Sequence, residues 1–197
     1  MLGVIIDRTL SWEEHISHVV KKCNSTLFCL HNIRHHLTPE ARKLLIQSHV
    51  FPYILYCLTV WGGAAQCHLG RVQKAINFGA RIVVGARRRD HISPTVATLG
   101  WRSVRDLITH RDNIAVFRAL NDPRAPEAIR SLFRRRSDVS RRSTRATVAG
   151  ALEPPPFRLS MSRRTFSFRA ASAWNLLPPA TSASRTRGEF VAMLNYV

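Results

Sequence analysis

Acidic residues are scarce in this sequence. It contains 12 Asp and Glu against 30 Lys and Arg in 197 residues, which gives a formal net charge of +18. Because so large a positive surplus repels itself, we expect an anionic partner that neutralises it. The phosphates of RNA or DNA are the commonest partner of this kind, and an anionic membrane surface is the alternative.

The sequence also lacks an apolar run long enough for a membrane-spanning helix. Residues 44–70 carry no charged side chain, but polar residues, glycines and a proline interrupt them and leave only residues 50–61 as a dense apolar run. A spanning helix needs about 20 consecutive apolar residues. We therefore expect a buried helical hairpin in this stretch and no membrane contact.

Cysteines are few and irregularly spaced, at Cys23, Cys29, Cys57 and Cys67. This spacing fits neither a disulfide framework nor a zinc finger. The opening residues 1–7 have neither the basic flank nor the long apolar stretch of a signal peptide. We therefore expect reduced thiols and an intracellular protein of the nucleus or cytoplasm.

One histidine-rich stretch comes closest to a metal site. His31 and His35 lie about one helical turn apart, with Cys29 and His36 beside them. A closed zinc site needs four ligands, which here would have to be completed by Cys57, Cys67 or His68, none of them at zinc-finger spacing. We expect histidines on a helix surface, with no metal and no cofactor.

Motifs of the common enzyme classes are missing too. There is no Gly-x-Ser-x-Gly elbow and no glycine-rich phosphate loop. The aspartates are all isolated from one another, at Asp7, Asp90, Asp106, Asp112, Asp122 and Asp138. We predict that the chain has no catalytic residues of its own.

The sequence does contain the apolar spacing that is typical of amphipathic helices. Apolar residues recur at spacings of three and four through most of the first 120 residues. This pattern, with its start and stop signals, predicts helices at about residues 12–37, 38–61 with a break at Pro52, 65–84, 93–100 and 103–120. A Ser-x-x-Glu capping box at Ser11 and Glu14 is expected to begin the first.

These patterns predict a mainly α protein in four parts. Residues 1–10 hold one short strand, because residues 2–6 form a β-branched apolar run. Residues 11–122 form a helical domain. Residues 123–165 form a basic, partly disordered linker with six arginines between positions 134 and 145. Residues 166–197 form a small helical and aromatic segment.

Tryptophans raise the question of base stacking. Trp12, Trp61 and Trp101 stand at the ends of apolar helices, so we expect them in the core. Phe166, Phe168 and Trp174 lie near the arginines and are expected to form a small hydrophobic cluster, with stacking on nucleic-acid bases as the alternative.

A series of short motifs follows in order along the chain. They are LGVIID (2–7) with Leu10, Trp12, His15 and Ile16, LTPEAR (37–42), PYILYC leading to VWG (52–62), RVQKAIN (71–77), ARIVVG (80–85), LGW (99–101), RTFSFR (164–169) and WNLLP (174–178). Together they resemble the region after the catalytic palm in reverse transcriptases of non-LTR (LINE-like, jockey-type) retrotransposons. This likeness covers nearly the whole chain.

The resemblance implies a helical thumb that grips a template–primer duplex, extended by a basic tail and docking on a separate or missing palm domain. The family's polymerase centre needs an adjacent Asp-Asp pair to hold metal ions, and no such pair occurs here. We therefore expect a non-catalytic, nucleic-acid-binding fragment of an RNA-directed DNA polymerase. The expected phosphate contacts are Lys21, Lys22, Arg71, Lys74, Arg81, Arg87, Arg88, Arg89, Arg134, Arg135, Arg136, Arg141, Arg142, Arg145, Arg163 and Arg164.

Two other hypotheses stay open at this point. The chain would contribute to polymerisation if a longer polypeptide joined it to an upstream palm. It would alternatively be a helical bundle that binds proteins, with a charge that only reflects arginine-rich codon composition.

Overall fold

The computed structural model describes residues 3–139 and 150–196. They fall into two compact units, Met1–Leu107 and Ile108–Val197, each described by itself below. The mainly α fold predicted from the sequence is confirmed, since helices dominate both units.

The first unit is made of helices. They are α1 (Glu13–Ile33), followed by a 3₁₀ turn (Arg34–His36), α2 (Pro39–His49), α3 (Phe51–Leu55), α4 (Leu58–Trp61), α5 (Gln66–Val84), α6 (Ser93–Thr98) and the start of α7 (Val104–Asn121). Helix α1 packs on α5, α2 and α3, while α5 also packs on α2 and α6. The core of this unit is apolar and includes Ile16, Leu27, Ile46, Ile54, Trp61, Val72, Ile76 and Trp101.

Several helix ends match their sequence signals. Thr38 caps α2, because its Oγ1 accepts the Ala41 N–H at 3.3 Å. Helix α2 ends at His49, three residues before Pro52. Gly85 ends α5 in the left-handed conformation that glycine adopts without penalty, at φ 70°.

The predicted strand at the N-terminus was wrong. Residues 4–7 form no strand, and Ile6, expected to be buried, is 68% exposed. The Ile5 N–H is donated to Nδ1 of His15 at 3.3 Å, so a side chain on α1 satisfies the backbone that a second strand would otherwise have paired.

The expected capping box at the start of α1 was also wrong. Trp12 is the N-cap residue and has a left-handed backbone, at φ 64°. The Asp7 carboxylate accepts the backbone N–H groups of Ser11 and Trp12 at 2.9 and 2.8 Å. These hydrogen bonds, with one each from the hydroxyl groups of Thr9 and Ser11, hold the pKa of Asp7 well below its usual value.

The second unit joins short elements around its own core. They are the rest of α7, then α8 (Glu127–Arg130), β1 (Arg134–Arg135), α9 (Arg136–Val139), β2 (Leu152–Glu153), a 3₁₀ helix (Ser160–Arg164), α10 (Phe166–Trp174), α11 (Pro179–Ser182) and α12 (Arg187–Tyr196). Strands β1 and β2 pair antiparallel, with Arg134 opposite Glu153 and Arg135 opposite Leu152. Phe190 stacks on Phe117 and Trp174, at centroid distances of 4.4 and 5.6 Å.

The linker predicted at residues 123–165 differs from what is observed. Phe133 and Leu152 are buried in the same core as Trp174, so residues on both sides of the arginines belong to the second unit. Residues 134–139 form β1 and α9, while residues 140–149 of the predicted linker lie outside the described residues. The boundary between units also falls at residue 107, inside the helical domain that was predicted to run to residue 122.

Candidate nucleic-acid interface

Two helices of the first unit run side by side in the same direction. Near the start of both, Nη1 of Arg71 on α5 donates to Oγ of Ser17 on α1 at 3.0 Å. Further along both, the rings of Phe28 and Phe78 lie 5.4 Å apart. The side chains along this junction therefore form one surface with contributions from both helices.

Cationic and aromatic side chains recur along this junction at helical spacing, so that they share a face of each helix. Helix α5 contributes Arg71, Lys74, Phe78 and Arg81. Helix α1 contributes Lys21, Phe28 and His31, of which the last two both contact the Phe78 ring. We call these residues the basic–aromatic strip.

A tight turn after α5 extends the strip with further arginines. The Asp90 carboxylate accepts the Arg87 N–H at 2.7 Å, and the Asp90 N–H is donated to the Arg87 carbonyl at 3.2 Å. Arg81 holds this turn, because its Nη2 donates to the Asp90 carbonyl at 3.1 Å. The side chains of Arg87, Arg88 and Arg89 are exposed around the turn.

The strip and the turn border a cleft of about 770 Å³ that is open to solvent. Its lining residues are Phe28, His31, Arg34, Phe78, Arg81, Ile82, Gly85, Ala86, Arg87 and Arg88. They include four arginines and no acidic residue. The cleft therefore combines positive charge with aromatic surface.

Not every predicted contact of the first unit belongs to this surface. Lys22 lies about 100° around α1 from Lys21, and its ammonium group sits over the Tyr53 ring on α3, 5.5 Å from the centroid. Arg89 is exposed but does not line the cleft. Lys22 is thus set apart from this surface, whereas Arg89 belongs to the turn that extends the strip but not to the lining of the cleft.

In the second unit the predicted contacts are spread over several elements. Arg134 and Arg135 project from β1 and are exposed, whereas Arg136 forms an ion pair with Glu153 at 3.0 Å. The guanidinium group of Arg163 covers the Phe157 ring, 4.5 Å from its centroid. Arg164 is exposed, and its carbonyl accepts a hydrogen bond from Arg169 at 2.9 Å.

Three further predicted contacts, Arg141, Arg142 and Arg145, lie outside the described residues. The first unit therefore holds the densest described group of predicted contacts, with Lys21, Arg71, Lys74, Arg81, Arg87 and Arg88 on one surface.

Two motif residues that carry the family resemblance, His15 and Arg42, serve the fold. His15 is buried with its ring edge-on to Trp61, at a centroid distance of 5.8 Å, and burial lowers the pKa of this imidazole. Arg42 of the LTPEAR motif donates to the carbonyls of Ile82 and Val83 at 3.1 and 2.9 Å. It thereby satisfies carbonyl groups in the last turn of α5.

The aromatic predictions are confirmed for the core. Trp12, Trp61 and Trp101 are buried, and so is Trp174 in the second unit. Phe166 packs on Phe133 with a centroid distance of 5.6 Å, within the small hydrophobic cluster that the sequence indicated. The aromatic rings that line the cleft of the first unit are Phe28 and Phe78, which the sequence had not singled out.

Within the described ranges, no group of three or more His, Cys, Asp and Glu side chains is placed to hold a metal ion. No helix there is both long enough and apolar enough to cross a membrane. The four cysteines are unpaired, with Cys23 buried and Cys29 and Cys67 exposed.

Comparison of the chain with protein-family models, with curated proteins and with solved structures gave no match. The resemblance to retrotransposon reverse transcriptases therefore remains a prediction from the sequence motifs.

Proposed function

We propose that this protein binds RNA or DNA through phosphate contacts with little sequence preference, and that the basic–aromatic strip is the main contact surface. The observation that carries this proposal is the clustering of cations from α1, α5 and the turn after it. Guanidinium and ammonium groups at helical spacing fit the regular negative charge of a nucleic-acid backbone.

No cation of the strip forms an ion pair with a carboxylate of the described residues. The ion pairs seen among residues 3–139 and 150–196 involve Arg130, Arg136 and Arg169, none of which belongs to the strip. Only Arg136 among the predicted contacts has a carboxylate partner there. An added polyphosphate would therefore meet charges that no acidic side chain of the described part already holds.

We further propose that the chain corresponds to the thumb and following region of a non-LTR retrotransposon reverse transcriptase, and acts in the nucleus or cytoplasm. It would have no polymerase activity of its own, since no two aspartates are adjacent in the sequence. The motif order supports this assignment. An open reading frame that continues upstream of Met1 into a palm with an adjacent Asp pair is the observation that tests it.

The binding function is tested by the salt dependence of affinity for a labelled duplex, measured by fluorescence anisotropy. Each neutralised phosphate adds about −0.9 to the slope of log K against log salt concentration. We expect a steep negative slope in the wild type. Replacing Arg87, Arg88 and Arg89 together by Gln should make the slope shallower by about one for each of these arginines that binds a phosphate.

A matched control removes the same charge elsewhere. Arg8, Arg118 and Arg124 are exposed and lie outside both the predicted contacts and the ion pairs of the described residues, so the triple replacement of these residues by Gln changes the net charge equally. A local interface predicts a much smaller effect in this control. Equal effects in both triple variants would show that net charge alone attracts nucleic acid, and a wild-type affinity independent of salt would contradict the proposal.

A further inference from the structure

The cleft at the end of the strip is lined by aromatic side chains, which are not needed to bind phosphate groups. Phe28 is 59% exposed, more than any other described phenylalanine or tryptophan, and it faces the cleft together with Phe78 and His31. Four arginines line the same space. Exposed aromatic rings beside arginines are the combination that binds unpaired bases, because rings stack on bases while guanidinium groups hold the flanking phosphates.

We propose that this cleft binds an unpaired nucleotide of a single strand, with its base stacked on Phe28 and its phosphates held by Arg87 and Arg88. This inference rests on the proposed nucleic-acid-binding function and adds a preference for single-stranded segments. A base within a duplex has both faces covered by its neighbours, so only an unpaired base can stack in the cleft.

The ring geometry assigns the stacking face. The centroids of Phe28 and Phe78 are 5.4 Å apart with an interplanar angle of 56°. Aromatic pairs in contact lie about 4.5–7 Å apart, so these two rings already touch and leave no room for a base between them. The base therefore stacks on the exposed part of Phe28, while Phe78 supports that ring and is itself contacted by His31.

The arginines around the rings are positioned by the backbone. Nη1 of Arg34 donates to the His31 carbonyl, at 2.6 Å, and Arg81 donates to the carbonyls of Asn77 and Asp90 at 3.4 and 3.1 Å. Nε of Arg81 is buried and has no hydrogen-bond partner among the described residues. Arg87 is held in the turn by hydrogen bonds of its backbone N–H and carbonyl to Asp90, and Arg88 follows it. The side chains of both arginines are exposed, so their guanidinium groups can contact phosphate.

The rest of the strip favours a strand over a free nucleotide as the ligand. Arg71, Lys74 and Lys21 continue away from the cleft along α5 and α1, where the next phosphates of a bound strand would lie. A free nucleotide would fill a cleft of about 770 Å³ only in part and would leave those cations unused.

The test compares the affinity of the full chain for an oligothymidylate strand and for a duplex of the same length, by fluorescence anisotropy at one salt concentration. Phe28→Ala and Phe28→Leu both remove the aromatic ring, and Phe28→Tyr keeps it. Loss of one stacked base lowers affinity by about 5-fold or more. We expect that loss for the strand in the Ala and Leu variants, with strand affinity retained in the Tyr variant and duplex affinity retained in all three.

Phe28→Leu preserves apolar bulk, so it separates stacking from simple packing. Leu44→Ala serves as a control at another exposed apolar side chain of the first unit, and it should change neither affinity. Thymidine monophosphate as a competitor distinguishes the ligand source. Displacement of the strand by the monophosphate at concentrations comparable to that of the strand would overturn the assignment to a strand.

The outcomes separate this inference from the function on which it rests. Strand affinity unchanged in Phe28→Ala, or an equal loss for strand and duplex, overturns the stacking site. If the wild-type duplex affinity is still salt-dependent in that case, the proposed function stands. If the wild type binds neither strand nor duplex, both proposals fail.

Discussion

The carboxylate of Asp112 is fully buried and is held by Arg169 through two hydrogen bonds, at 2.6 Å from Nε and 3.1 Å from Nη2. Burial raises the pKa of Asp112, and the guanidinium group of Arg169 opposes that rise. Arg169 ends the RTFSFR motif, so a motif residue that sequence reasoning placed next to nucleic-acid contacts has a structural task. It neutralises a charge that would otherwise destabilise the second unit.

Arg169→Ala should therefore be strongly destabilising. Removing one partner of a buried ion pair leaves the other charge without compensation, which costs about 3–5 kcal/mol. Denaturant unfolding at neutral pH measures this loss, and Arg164→Ala, an exposed neighbour, is the control with an expected loss near zero. Comparable losses in the two variants would contradict the role of Arg169.

The same variant has a defined pH dependence. Without Arg169, the pKa of Asp112 in the folded state lies further above the ordinary value of 3.8, so the folded protein binds a proton more tightly than the unfolded chain does. The destabilisation is therefore full at neutral pH and is relieved as the pH falls through the folded-state pKa. Unfolding of Arg169→Ala and the wild type at neutral and acidic pH checks this, and a pH-independent difference would exclude it.

At the scale of elements, α5 depends on one glycine for its close packing. A Cβ added at Gly79 would lie 3.3 Å from a methyl group of Ile46 on α2 and 3.5 Å from one of Leu27 on α1. The ring of Trp101 would be 3.6 Å away. The absence of a side chain at this position thus lets α1, α2 and the Trp101 ring approach α5 at one level.

Gly79→Leu should overpack this junction and lower the unfolding free energy by about 1–3 kcal/mol. Gly70 provides a matched position on the same helix, because a Cβ there would meet nothing within 4 Å. Gly70→Ala is expected to stabilise the protein by about 0.5–1 kcal/mol, as alanine reduces the backbone entropy lost on folding. Thermal or denaturant unfolding should show opposite signs, and equal signs would argue against the packing role.

Elements that are defined by interactions between residues close in the sequence were predicted better than elements that depend on residues far apart in the sequence. Helix α5 was predicted within one residue, because apolar spacing and Gly85 are local signals. The start of α1 was also predicted within one residue, but the capping box was not formed. The Asp7 carboxylate instead accepts the N–H groups of Ser11 and Trp12, an arrangement outside the usual capping pattern. The strand at residues 2–6 failed because strand formation needs a distant partner, and His15 took its place.

One part of the candidate site could be predicted from local sequence spacing, and the other part depends on how the helices pack. The spacing of Arg71, Lys74 and Arg81 already places them on one face of a helix, so this part of the strip was within reach of the sequence. The approach of Phe28 to Phe78 depends on how α1 packs on α5, which no local pattern specifies. Strand β1 was missed because two adjacent arginines show no alternation of apolar and polar residues.

At the scale of the whole molecule, the excess of positive charge lowers the stability of the free folded protein. A formal net charge of +18 repels itself in the compact state, and its screening depends on ionic strength. The Debye length falls from about 30 Å at 0.01 M salt to about 10 Å at 0.1 M. Salt should therefore stabilise the free protein while it weakens nucleic-acid binding, so the two effects have opposite signs.

We expect the thermal unfolding midpoint of the free protein to rise with NaCl between these concentrations, and a gain of 1 kcal/mol would correspond to about 2–4 °C for a chain of this size. The triple variant Arg87→Gln, Arg88→Gln and Arg89→Gln keeps the backbone hydrogen bonds of the turn but removes three positive charges. At low salt it should unfold at a higher temperature than the wild type, and its unfolding midpoint should rise less with NaCl.

The affinity of this triple variant for duplex should nevertheless be lower than that of the wild type, because the repelling charges are also the proposed phosphate contacts. Differential scanning fluorimetry beside anisotropy titrations measures both quantities, and a variant that is less stable than the wild type at low salt would show that these arginines support the fold.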